Sequence, residues 1–90
     1  MKVKIGASQF SCIKDNVKEN INKSLDLASK AASQKVNVFL LQELFQTQYF
    51  CSTQNSKFFD LAITFPDNEI FEVFSNFCKH HEIVIPISFF

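Results

Sequence analysis

The sequence predicts an α/β fold, and three observations carry that expectation. Val3, Ile5 and Ala7 alternate with Lys2, Lys4, Gly6 and Ser8, the period-two pattern of a strand. A long segment with apolar residues at helical spacing follows it. Then comes a short apolar run, Val36-Asn37-Val38-Phe39-Leu40-Leu41, that stops abruptly at Gln42-Glu43. A run of four to eight β-branched and large apolar residues, with helical pattern on both sides, marks a strand of a sheet that helices cover.

Taken in order, the first strand is expected from Val3 to Phe10. Asn16 is a plausible helix N-cap, with Glu19 three residues later in the manner of a capping box. Val17, Ile21, Leu25, Ala28 and Ala32 then share one helical face, while Lys18, Asn22, Lys23, Asp26 and Lys30 take the other. That is a helix of about 18 residues lying on a sheet. The second strand is Val36 to Leu41, and strand, helix and parallel strand make a β-α-β unit. A long loop from Gln42 to Lys57 follows, and loops of that length usually carry function. Phe58 to Ile63 reads as a short helix. Pro66 with Asp67 or Asn68 opens another, burying Ile70, Val73, Phe74, Phe77 and Cys78. Ile83 to Phe90 is expected as the third strand.

Composition bounds the rest. Ninety residues make one small domain at most, and 47% hydrophobic residues make it globular. Nine basic and nine acidic residues balance, so nothing in the charge points to nucleic acid. No apolar run approaches the length of a membrane span, and the charged start Met-Lys-Val-Lys is unlike a signal peptide, so a cytoplasmic protein with no membrane partner is expected. Cys12, Cys51 and Cys78 are odd in number and widely spaced, without metal-ligand spacing, and read as reduced thiols. Twelve phenylalanines are more aromatic surface than the chain can easily bury, since small domains bury only about 60% of their unfolded surface. The last residues, Ile85-Pro86-Ile87-Ser88-Phe89-Phe90, are apolar to the end, as if the chain were cut within a strand. An aggregation-prone or partly folded isolated chain is therefore expected.

Glu43 is the candidate for chemistry. It stands where a buried strand leaves the sheet, on the rim where open α/β folds gather their active sites. Position and residue type fit a solvated, strand-ending Glu equally well. Three stretches together decide otherwise: Gln42-Glu43-Leu44-Phe45, Tyr49-Phe50-Cys51, and Ile85 to Phe90. In that order they resemble the opening third of a carbon–nitrogen hydrolase of the nitrilase superfamily, and within it most closely the N-carbamoylputrescine amidase branch. The resemblance spans essentially the whole chain. It implies that residues 1–90 are the N-terminal portion of a four-layer α-β-β-α sandwich, and that the parent activity is hydrolysis of a small carbamoyl or amide substrate, as in polyamine synthesis. The superfamily's β-ureidopropionases and ω-amidases are alternatives, as is a non-catalytic truncated paralogue. The resemblance further implies no metal or organic cofactor, and homo-oligomerisation of the full-length form.

In the superfamily a Glu, a Lys and a Cys act together, and Glu43 matches the Glu. A thiol is only slightly ionised at neutral pH, so it needs an adjacent base to become an effective nucleophile, and a nearby cation stabilises the oxyanion. No residue matches the Lys or the Cys, which lie downstream of the final strand. Cys51 is eight residues past Glu43 and reads as a pocket-wall thiol. Tyr49 matches an aromatic that lines the pocket, and so is the substrate-binding candidate; the alternative is a tyrosine packed under the loop and bonded to backbone. Phe45 and Phe50 read as wall and core. Gln42 either orients Glu43 or caps the strand. A dyad of Cys78 with His80 or His81 is disfavoured by helical geometry, and the two histidines suit the negative helix end instead. Lys57 and Lys79 read as surface charges. Relatives commonly carry Gly where this chain has Lys35 and Glu82, each a left-handed helix end that costs a non-Gly residue about 1 kcal/mol.

Overall fold

The computed structural model describes residues 1–90. Strand β1 (Ile5–Ala7), helix α1 (Val17–Ser33) and strand β2 (Val38–Leu40) form a parallel β-α-β unit, with Ile5 opposite Val38 and Ala7 opposite Leu40. Two 3₁₀ turns, Phe50–Ser52 and Ser56–Leu61, precede helix α2 (Glu69–His81).

Both helix starts are capped by asparagine: Asn16 as expected, though without the reciprocal Glu19 side-chain bond of a capping box, and Asn68 rather than Asp67. Asn16 Oδ1 accepts the Glu19 N–H at 3.1 Å, and Asn68 Oδ1 accepts the Ile70 N–H at 3.0 Å. Both ends close as Lys35 and Glu82 foretold. Lys35 (φ 62°) and Glu82 (φ 53°) are left-handed non-glycines. Val36 N–H returns to Ala31 O and Lys35 N–H to Ala32 O, a Schellman closure, and Ile83 N–H returns to Cys78 O at 3.2 Å.

The strands are shorter than expected. Strand β1 stops at Ala7, and β2 spans three residues rather than Val36 to Leu41. The expected third strand over Ile83 to Phe90 reduces to one parallel bridge, Val84 with Val38, made by Val84 N–H to Asn37 O and Phe39 N–H to Val84 O, each 2.9 Å. A three-residue β2 offers no longer edge to pair with. The expected helix over Phe58 to Ile63 is the 3₁₀ turn Ser56–Leu61.

The core lies on one side of the sheet. Ala28 and Ala31 of α1, Phe39 and Leu41, Phe45, Ile70 and Phe74 of α2, and Ile83 and Ile85 form a single buried cluster. Gly6 makes room for it, since a Cβ there would stand 3.3 Å from the Phe39 ring. The buried line of α1 is Asn20, Ser24, Ala28 and Ala31, rotated from the expected stripe; Ile21 and Leu25 are half-buried and Val17 is exposed. Small side chains let the helix approach the sheet closely, and Asn20 is drawn inward by loop backbone. The opposite sheet face is apolar and open: Ile5 is 72% exposed, Leu40 51% and Val84 60%. Of the twelve phenylalanines only Phe39, Phe45, Phe50 and Phe74 are buried, in line with the excess that the composition predicts. No helix is long and apolar enough to cross a membrane.

Candidate active site

The site is built where the chain leaves β2, against the loop between β1 and α1. Gln42 settles its own role by reaching across to that loop. Its Oε1 accepts the Phe10 N–H at 2.9 Å, its Nε2 donates to Phe10 O at 2.7 Å, and the same nitrogen lies 3.5 Å from Cys12 Sγ. An amide side chain thus pairs with a peptide group as a neighbouring strand would, and extends the sheet past Ala7. The Cys12 thiol donates to Phe45 O at 3.0 Å, and burial pushes its pKa up.

Asn20 is the second strap, and it is fully buried. Its Oδ1 accepts the Ile13 N–H at 2.7 Å, while its Nδ2 donates to Ile13 O at 2.9 Å and to Gln46 O at 3.0 Å. One side chain therefore joins α1, the β1–α1 loop and the loop after β2, and satisfies backbone groups that would otherwise be orphaned. Ser24 completes the polar line by donating to Asn20 O at 2.8 Å.

Between these straps Glu43 is exposed, while Leu44, Phe45, Gln46 and Thr47 after it are all buried. Leu44 has φ 51°, a left-handed conformation that costs a bulky residue about 1–2 kcal/mol. Its N–H donates to Ser88 Oγ at 3.2 Å and its carbonyl accepts the Thr47 N–H at 3.2 Å. Glu43 therefore projects from a backbone held on both sides.

Tyr49, 53% exposed, brings its phenol to the same place. Its pKa is raised above the ordinary 10.0, chiefly by the charge of Glu43 and next by Cys51. Glu43 and Cys51 thus lie near enough to the exposed Tyr49 phenol to act on it electrostatically. Phe50 is buried between Phe58 (5.6 Å) and Phe90 (5.0 Å), and Phe45 packs edge-on against Phe74 at 5.4 Å, so both serve as wall and core. An aromatic cleft of about 340 Å³, lined by Phe50, Phe58, Phe59 and Phe90, opens beside Cys51.

The other candidates stand apart. His80 and His81 are exposed in the last turn of α2 and bond no sulfur, while Cys78 is half-buried against the Ile85 backbone, which leaves its thiol raised by burial. Lys57 lies exposed, 5.1 Å from the Phe58 ring centroid, and Lys79 is exposed. Three contributors escaped the sequence reading: Asn20, Leu44 and Ser88. Asn20 had a faint signal, a short amide four residues before Ser24 and eight before Ala28 on one helical line. The other two had none.

Comparison with known proteins follows the same boundaries. The family model described as carbon–nitrogen hydrolase matches residues 4–90. The chain is 39% identical over 89 residues to an N-carbamoylputrescine amidase of Oryza sativa subsp. japonica, covering 99% of this chain and 29% of that protein. It is 36% identical over 88 residues to a citrullinase of Francisella tularensis subsp. tularensis, covering 98% of this chain and 30% of that protein. Among solved structures, a carbon–nitrogen hydrolase from Helicobacter pylori G27 superposes with a TM-score of 0.76 at 30% identity, over 92% of this chain and 28% of that one. The chain thus spans less than a third of the length of the curated relatives it matches.

Proposed function

The chain belongs to the carbon–nitrogen hydrolase family, and from that premise we propose that residues 1–90 supply the general-base segment of an amidase, with Glu43 as the base. The observation that carries this reading is the exposed Glu43 carboxylate at the end of β2, on a strapped backbone and beside the Tyr49 phenol. In the proposed chemistry Glu43 takes the proton of a thiol as the sulfur adds to the substrate carbonyl carbon. The proton passes to the departing nitrogen, and Glu43 then takes a proton from the water that cleaves the acyl–sulfur bond. The attacking thiol and the oxyanion-stabilising Lys are taken to lie in the remainder of a longer sandwich protein. The open face carrying Ile5, Leu40 and Val84 suits a second sheet layer.

The proposed substrate is a linear molecule ending in a ureido group, the chemistry common to the names N-carbamoylputrescine amidase and citrullinase. Tyr49 is the proposed contact to its polar end, and the aromatic cleft beside Cys51 offers apolar walls to a methylene chain. Release of putrescine, carbon dioxide and ammonia from N-carbamoylputrescine is the leading form of the proposal. A cytoplasmic, homo-oligomeric whole protein without metal or organic cofactor belongs to it. Ammonia release tests it, using a protein in which this chain continues into a Lys and a Cys. N-Carbamoylputrescine should be preferred over β-ureidopropionate, which carries a carboxylate in place of the amine, and over simple ω-amides, and the reverse preference overturns the assignment. The 90-residue chain alone should release none. Release that is abolished by Cys51→Ala would make Cys51 the nucleophile instead.

A further inference from the structure

Five non-glycine residues adopt positive φ, and four of them need little comment. Asp15, Lys35, Gln54 and Glu82 are polar and exposed, and sit at loops or helix ends. Leu44 is the exception, being apolar and only 8% exposed. A bulky residue stays in that region only where its surroundings fix it, and such residues concentrate at functional sites. The bond from Leu44 to Thr47 is local and closes the turn. The long-range hold is the Ser88 hydroxyl, 44 residues further along, which accepts the Leu44 N–H at 3.2 Å. Gln42, on the other side of Glu43, is held by Phe10. Glu43 itself lies exposed between two anchored neighbours, so the backbone sets the direction of its carboxylate.

We propose that Ser88 is a positioning residue for Glu43: its hydroxyl fixes the left-handed turn at Leu44 from which the carboxylate projects toward Tyr49. The inference rests on the reading of Glu43 as the base and deepens it, giving the half-buried Ser88 of the final apolar segment a part in the site. Losing that bond lets the turn relax toward ordinary φ and swings the carboxylate away. In an active enzyme a displacement of about 1 Å costs on the order of 10²-fold in turnover.

The chain has one tyrosine and no tryptophan, so a tyrosinate absorbance titration reads Tyr49 alone. Glu43 and Cys51 are the charged groups that face it. Wild type should titrate above the ordinary value and Glu43→Gln measurably lower than wild type, with the Cys51 contribution retained. Ser88→Thr keeps the hydroxyl and should follow wild type. Ser88→Val has the same shape without the hydroxyl and should follow Glu43→Gln. If the Thr and Val variants titrate alike while Glu43→Gln shifts, the Ser88 inference is overturned and the Glu43 site stands. If Glu43→Gln itself leaves the titration unmoved, the Glu43–Tyr49 arrangement fails and both readings fall. Should Ser88→Val not fold, amide exchange in the wild-type chain decides. A Leu44 amide protected at least tenfold supports the bond to Ser88, and exchange at the rate of a free amide overturns it.

Discussion

The helix-covered face of the sheet and the stretch from Tyr49 to Pro66 use the same aromatic residues to opposite effect. Under the helices, Phe45 is fully buried and meets Phe74 edge-on, within a continuous cluster that includes Ala28 and Ile70. Along the other stretch, Phe59 is 69% exposed and Phe65 66%. These too find ring partners, Phe59 on Phe90 at 6.2 Å and Phe65 on Phe71 at 4.9 Å. Ring contact is common to both regions, while withdrawal from water is general in the first and reaches only Phe50 among the rings of the second. Burial should therefore set the energies, with the ring pair adding only about 0.5–1.5 kcal/mol. The site lies on the seam between the regions, with Glu43 exposed and the four residues after it buried.

The comparison is broken most readily at its two aromatic extremes. Phe45→Ala should cost about 3–5 kcal/mol in a denaturant melt, from lost burial and the cavity left behind. Phe59→Ala should stay within about 0.5 kcal/mol, as expected at an exposed position. Comparable losses would mean that the exposed aromatic stacks are as stabilising as the core.

A smaller effect tests the polar strap. Asn20→Ala strands Ile13 N–H and Gln46 O, leaves Ile13 O only the 3.4 Å bond from Asn16 N–H, and should cost about 1–3 kcal/mol by leaving polar groups unpaired. Its signature is local: the β1–α1 loop should lose amide protection before α2 does. Uniform loss across the chain would show that Asn20 is ordinary core.

The helix ends give the next test. Lys35→Gly and Glu82→Gly should each raise stability by about 1 kcal/mol, because glycine reaches positive φ without strain. A loss at either position would mean that the native side chain compensates for its backbone.

The smallest effect depends on pH. Burial raises the thiols of Cys12 and Cys78 above their ordinary 9.0, so the folded chain keeps protons that the unfolded chain releases. Their contribution is fully present below pH 9 and is lost as pH rises through the folded values. Tyr49, raised above 10.0, extends the decline in the same direction. A Cys12→Ala/Cys78→Ala variant should show a flatter decline above pH 9, and an unchanged slope would remove the thiols from the account.

What was legible in the sequence was mostly local. Asn16 and Asn68 cap helices through amides two or three residues away, and Lys35 and Glu82 close them within five, so short-range chemistry suffices. Element order and the strand-end position of Glu43 follow from hydrophobic period. Strand length did not follow, because a ladder needs a partner edge and β2 provides only three residues. The site's supports were illegible for the same reason: Asn20 bonds Gln46 26 residues away, and Leu44 bonds Ser88 44 residues away. Nothing near Leu44 in sequence announces a left-handed backbone. Ser88, within a run that reads as a strand, gives no sign that its hydroxyl is committed to a turn.

The central claim is that this strapped strand end presents Glu43 as a general base. Its most direct test is steady-state ammonia release by Glu43→Gln in a protein that carries this chain together with a Lys and a Cys. Turnover should fall by about 10²–10⁴-fold with KM little changed, as expected when a base is lost and binding is retained. Turnover within a few-fold of wild type would contradict the claim and leave Glu43 as a solvated strand end.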